Sequence, residues 1–168
     1  MSAPTFDSLT TTDKATLDRI MLESPAPSLA DVLGYEFRGW NLNPATRLIG
    51  PLKFKKGFFG DPAKPYAWGY NVLVQQNEKA GPWIAKPSDA DPRRYFFFKV
   101  FPGAQARNPI YAQSLVIDYR AWGEYFALNP VALTVDYLVF PDPANRDLIL
   151  GKSYLEAGPV RPFAGYFV

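Results

Sequence analysis

The apolar positions of the chain change their period at Gly34. Before it, Leu17, Ile20 and Met21 recur at the i, i+3, i+4 spacing of one helix face within TTTDKATLDRIMLES. That spacing predicts a helix with Thr12 as N-cap and Asp13 in its first turn, stopped by Pro25 and Pro27. A second short helix is predicted over SLADVLG. Ser28 and Asp31 stand at capping-box spacing, Leu29, Val32 and Leu33 are apolar, and Gly34 suits the C-terminal end. After Gly34 the apolar residues come in short runs with the alternation of strands. A central strand tolerates no proline, and the proline-free windows 66–81, 93–101, 110–129, 131–140 and 144–158 each hold a β-rich run. Strands are expected near Tyr35–Leu42, Leu52–Phe59, Tyr66–Gln75, Arg94–Phe101, Ala112–Tyr119, Leu133–Phe140, Asp147–Leu155 and Phe163–Val168. FPDPANRDL reads as the hairpin loop between the sixth and seventh. No helix-length segment separates the later strands, so the sheet should be mainly antiparallel. The stretch PWIAKPSDADP, residues 82–92, reads as a long exposed loop. YRAWGEYFALNP, with Trp122, Tyr125 and Phe126, reads either as a short helical turn or as a loop covering a pocket.

Eight antiparallel strands within residues 35–168 close into a barrel or fold into a sandwich. Closure removes the exposed edges on which sheets aggregate. The expected fold is therefore mainly β: a single domain over 1–168, with a helical segment at 1–34 and an antiparallel barrel of about eight strands at 35–168. Helical turns followed by a meander resemble the lipocalin-like (calycin) barrels, on strand count and size. Lipocalins carry Gly-x-Trp on the first strand; here EFRGW sets Gly39 and Trp40 side by side. The resemblance implies a pocket for an apolar small molecule at the barrel mouth.

Composition narrows the chemistry. Aromatics make up 16% of the 168 residues and prolines number 17, which suits strands joined by irregular loops. A net charge of +2 provides no global field toward nucleic acid or an anionic membrane. There is no cysteine and no histidine. That excludes a disulfide framework, a thiol nucleophile, a Cys/His zinc site and histidine acid–base chemistry, the Ser-His-Asp triad included. A carboxylate metal site stays possible, but no calcium-loop spacing is present, and no metal or organic cofactor is expected. MSAPTFDSLTTTDK lacks the charged and apolar regions of a signal peptide, and no apolar run approaches the roughly 20 residues of a spanning helix. A soluble, cytoplasmic protein with no membrane partner is expected.

Two sets of residues invite a functional reading. KFKKGFFG interleaves lysines with aromatics, and Arg47, Lys53, Lys55, Lys56 and Lys64 form a basic cluster. KKGFFG is similar to the start of the RNA-recognition-motif signature, but DPAKP follows it and the fold lacks that family's alternation of helix and strand. The cluster is expected to be a solvated strand face whose lysines guard an edge, with no nucleic-acid partner. The second set consists of charges on apolar strand faces. Lys152 shares a face with Leu148, Leu150 and Tyr154; Asp136 with Thr134, Leu138 and Phe140; Asp118 with Val116; Arg38 with Trp40. A charge on an apolar face costs several kcal/mol unless paired. Either these four pair inside the barrel as a polar spot in an aromatic cavity, or Asp136 and Lys152 form an exposed cross-strand pair. In the first case Asp118, Asp136, Lys152 and Tyr154 are catalytic candidates, with Lys152 as base or Schiff-base amine and an Asp–Tyr pair moving protons.

The aromatics Trp40, Trp68, Tyr70, Trp83, Phe97, Phe98, Tyr119, Tyr154 and Tyr166 either line a cavity or fill a core. In RRYFFFKVF, Tyr95, Phe97, Lys99 and Phe101 alternate with Arg94, Phe96, Phe98 and Val100. Both faces want cover, one from the barrel interior and one from the helix bearing Leu17, Ile20 and Met21. The favoured function is binding of a hydrophobic or aromatic small molecule, with Arg38, Trp40, Trp68, Tyr70, Phe97, Phe98, Tyr119 and Tyr154 as contacts. The alternatives are a cofactor-independent cyclase or isomerase in the same pocket, and a filled barrel with a structural or interaction role. The apolar FAGYFV is expected to dock as the last strand or to pair with a second copy in a homodimer.

Overall fold

Local capping signals set the helical segment in the computed structural model, which describes residues 3–43, 51–122, 130–156 and 158–168. Helix α1 spans Phe6–Thr11 and was not expected from the apolar spacing. Thr5 caps it, its hydroxyl accepting from the Ser8 amide while Ser8 closes the box. Helix α2 spans Lys14–Glu23, and its N-cap is Asp13 rather than Thr12. The Thr12 hydroxyl is committed to the Ser8 carbonyl at 2.8 Å, so the Asp13 carboxylate accepts from the Thr16 amide at 3.0 Å instead. Helix α3, Leu29–Val32, carries the expected Ser28/Asp31 capping box, and Gly34 follows in the left-handed region at φ 82°.

The strands are β1 Glu36–Trp40, β2 Lys53–Phe59, β3 Ala67–Leu73, β4 Arg94–Pro102, β5 Leu115–Asp118, β6 Thr134–Val139, β7 Leu150–Leu155 and β8 Phe163–Phe167. They form one eight-stranded sheet in sequence order, each strand antiparallel to the next. The sheet curls until its ends meet. Trp40 and Val168 exchange both backbone hydrogen bonds (2.8 and 3.0 Å), and the Leu42 amide donates to the Tyr166 carbonyl at 2.9 Å. The result is a nearly closed up-and-down barrel, as the sequence predicts.

Alternation along each strand then separates an inner from an outer face. Val32 of α3 is buried against Phe58, Ala67, Phe98 and Val100 of the inner face. Helices α1 and α2 lie outside, their Leu9, Leu17 and Met21 packed on Val116, Val135, Tyr137, Leu150 and Tyr166. Their seat is thus β5–β8, with Phe101 of β4 at its margin, and not the outer face of β4 as expected. On the outer face of β4, Phe97 packs instead beside Tyr70 of β3, ring centroids 6.2 Å apart. Residues 82–92 are not a wholly exposed loop either. Ala85 is buried, bridges to Val74 and covers Val72. Tyr119–Trp122 forms a 3-10 turn, while Tyr125 and Phe126 lie outside the described residues. Among the described residues no helix is long and apolar enough to cross a membrane.

Candidate functional site

Register brings five polar side chains together inside an otherwise apolar barrel. Lys56 of β2 faces Asn71 of β3 across the ladder, and Asp136 of β6 faces Ser153 of β7. Tyr119, just beyond β5, completes the group. The Lys56 ammonium donates to Asn71 Oδ1 at 3.1 Å and to the Tyr119 hydroxyl, and lies 3.3 Å from Asp136 Oδ2. Asp136 also accepts from Ser153 Oγ at 2.7 Å and from the Tyr119 hydroxyl at 3.4 Å. Asn71 Nδ2 donates to the Phe96 carbonyl at 3.1 Å. Lys56, Asn71 and Asp136 are 7%, 6% and 2% exposed, so the ion pair is desolvated and its remaining hydrogen-bonding capacity is met by protein.

Four rings surround the ammonium: Phe54, Phe98 and Phe167 at 5.2 Å and Tyr119 at 5.0 Å. Three of them lie where glycines make room. Gly39 pairs with Phe54, Gly69 with Phe98 and Gly151 with Phe167, and a Cβ on any of these glycines would overlap the ring opposite. Burial pushes the Lys56 pKa down, and the neighbouring Asp136 charge only partly restores it. Tyr119 is pushed well above its ordinary value by burial and by Asp136, against the opposing hydrogen bond from Asn71. Burial likewise raises Tyr95 to about 12, against the lowering effect of Arg93.

Two cavities reach this group. The larger, 570 Å³, opens in the barrel wall where Glu36–Gly39 of β1 face residues 147–149, because β1 meets β8 only from Trp40 onward among the described residues. Its walls include Tyr35, Phe37, Phe58, Trp83 and Ile149. The smaller, 110 Å³, is lined by Asn71, Tyr95, Phe96, Tyr119, Asp136 and Ser153. Phe54, Lys56 and Phe167 line both.

The structure distributes the sequence candidates unevenly. Asp136 and Tyr119 are in the interior group, and Phe98 is one of its rings. Arg38 lines the larger cavity from its exposed rim. Lys152 is on the opposite face of β7 from Ser153. There it is bonded to Asp18 of α2 and, at 2.7 Å, to the Tyr111 hydroxyl. Tyr154 shares that outer face, 3.4 Å from Tyr111. Asp118 is also outward, in a bidentate pair with Arg120. The two pairing readings both fail: Lys152, Asp118 and Arg38 do not meet Asp136 inside, and Asp136 and Lys152 are both buried, on opposite faces. Trp40, Trp68, Tyr70 and Phe97 alternate with inward residues and stand on the outer face, as does Tyr166, which donates to Asp18.

The basic cluster is corrected too. Lys53 is fully buried, donating to Asn77, to the Glu78 carbonyl at 2.7 Å and to the Gly81 carbonyl at 2.8 Å. Lys55 pairs with Glu36 and Asp89. Two of the five lysine and arginine positions are therefore buried rather than solvated, and Arg47 lies outside the described residues.

The fold and site define an eight-stranded antiparallel barrel with a buried Lys–Asp–Tyr group. No family model matches the chain, and neither a curated protein nor a solved structure gives a significant match.

Proposed function

We propose that the barrel binds a small, uncharged apolar or aromatic molecule. Its body lies in the 570 Å³ cavity and its polar end meets Lys56, which is bonded to Tyr119 and paired with Asp136 behind it. The observation that carries this is a cavity rich in aromatic walls that reaches the buried Lys56, with the charged Asp7, Glu36, Arg38, Lys79 and Asp147 also along its lining. Ligand sites commonly occupy about 300–1,000 Å³, with apolar walls and a few convergent polar atoms. The charge balance selects a neutral ligand. Lys56 and Asp136 cancel one another, so a carboxylate or ammonium brought beside them adds an uncompensated charge in a desolvated interior.

Titration of intrinsic tryptophan fluorescence, with Trp83 in the cavity wall, tests the reading. Cinnamyl alcohol should quench saturably and raise the Tm, and cinnamate should bind at least about tenfold more weakly. Absence of binding by cinnamyl alcohol and by a panel of neutral aromatics of similar size counts against it. Native mass spectrometry of the purified protein supplies the complementary search for a retained ligand.

A second reading, a cofactor-independent cyclase or isomerase, is favoured by the hydrogen-bonded sequence Lys56–Tyr119–Asp136, which can pass a proton within the cavity. Conversion of a bound ligand to an isomer, followed by mass spectrometry with chromatography, separates this from binding alone.

A further inference from the structure

Three lysines are buried among the described residues, and they differ in what surrounds the amine. Lys53 donates to Asn77 and to the Glu78 and Gly81 carbonyls in the 77–81 loop. Lys152 is enclosed between Asp18 and Tyr111 beneath α2. Lys56, bonded to Asn71 and Tyr119 and paired with Asp136, lines both cavities that converge on the interior group. A lysine needed only to neutralise Asp136 has no reason to border open space at an aromatic wall. We infer that Lys56 is a carbonyl-capturing amine, which condenses reversibly with an apolar aldehyde or ketone held in the cavity. This rests on the binding reading above and names the ligand class for it.

The neighbours suit that step. Asp136, 3.3 Å away, takes a proton from the ammonium and frees the amine lone pair. The lone pair forms a C–N bond to the carbonyl carbon as the C=O π pair moves to oxygen, which receives the proton from Asp136. One of the two protons left on nitrogen, relayed through Asp136 or Tyr119, leaves with that hydroxyl as water, and a C=N bond that keeps the other proton remains. One C=O bond is exchanged for one C=N bond and one water is released, with no oxidant or reductant required. The protonated imine so formed carries the positive charge the ammonium had, so Asp136 keeps its counter-ion and the interior stays neutral. An aldehyde or ketone enters without charge, which is the condition the Lys56–Asp136 balance imposes. Burial, which disfavours the ammonium, raises the fraction of reactive amine.

Incubation of the intact protein with cinnamaldehyde and sodium cyanoborohydride at neutral pH, followed by peptide mapping, tests the inference. The expected result is a secondary-amine adduct, the aldehyde's mass less one oxygen. It should form on the Lys56 peptide at least about tenfold faster than on the exposed lysines, because the cavity holds the carbonyl beside the amine. Excess cinnamyl alcohol should suppress it. Lys56→Arg should abolish it while labelling elsewhere continues, and Asp136→Asn should slow it. Because the wild-type map is itself decisive, the test does not depend on either variant folding. Labelling confined to exposed lysines while cinnamyl alcohol still binds overturns the imine and leaves the binding reading standing. Failure of the alcohol to bind, with no label on Lys56, removes both.

Discussion

At the residue scale, the consequential feature is that Asp136 finds its partner across the barrel. Parity along LTVDYLVF places Asp136 with Thr134 and Leu138, and the structure keeps it there, facing inward. The same parity cannot say which cation on which other wall will reach it. Lys152 is its hairpin neighbour in sequence, yet faces outward, where Asp18 of α2 meets it. The partner, Lys56, was legible in one respect: it shares a strand face with Phe54 and Phe58 in LKFKKGFF, a face too apolar for a solvated lysine. Removing half of such a pair strands a buried charge. Lys56→Met or Asp136→Asn should each destabilise the protein by about 3–5 kcal/mol. The double variant Lys56→Met with Asp136→Leu should recover most of that, since an apolar pair of similar volume has no desolvation penalty. Urea denaturation of the four proteins reads the coupling directly. Additive losses would mean that the two groups do not act as a pair.

At the element scale, the strands were legible because prolines punctuate the chain. Each proline-free window holds a strand, displaced by a few residues at its ends. The short α1 escaped because its signal is a capping box around Thr5 and Ser8 rather than an apolar stripe. The glycine–aromatic pairs were not legible, because they depend on register between strands. Gly151→Ala should force the Phe167 ring aside and cost about 1–3 kcal/mol by thermal unfolding, the usual range for overpacking. Helix α2 carries a pH-dependent latch. Burial raises the Asp18 pKa, but hydrogen bonds from Lys14, Lys152 and Tyr166 outweigh it and hold the carboxyl well below its usual range. Lys152 is held well above its own value: burial opposes this, and hydrogen bonds to Asp18, Tyr111, Tyr154 and Tyr166 prevail. A depressed carboxylate contributes stability above its unfolded pKa of about 3.9 and loses it as pH falls toward the folded value. Wild-type Tm should therefore fall below about pH 4 more steeply than that of Asp18→Asn, which lacks this term. Parallel slopes would show that the latch contributes nothing.

At the scale of the molecule, a meander of sequential hairpins leaves only its first and last strands to be joined, and closure depends on that seam. The seam is short: the paired Trp40 and Val168, the Leu42–Tyr166 bond, and beneath them the edge-to-face contact of Phe54 with Phe167 at 5.6 Å. Yet it carries a large consequence, because Phe167 also walls both cavities and Val168 borders the larger one. The seam thus links folding to the site: opening it removes a ring from around Lys56 and exposes the Lys56–Asp136 pair to water. Removing residues 162–168 should abolish the cooperative melt, since Leu150, Lys152 and Tyr154 would lose Tyr166 and Val168 from the layer under α2. A gentler test leaves the chain intact. In native-state hydrogen exchange, the Trp40 and Val168 amides should exchange only through the same opening that exposes the β2–β3 amides, if closure and core formation are one event. Seam amides that exchange much faster than β2–β3 would instead describe a sheet that opens at β1/β8 while the rest stays folded, which would give a ligand its route to Lys56 through the wall.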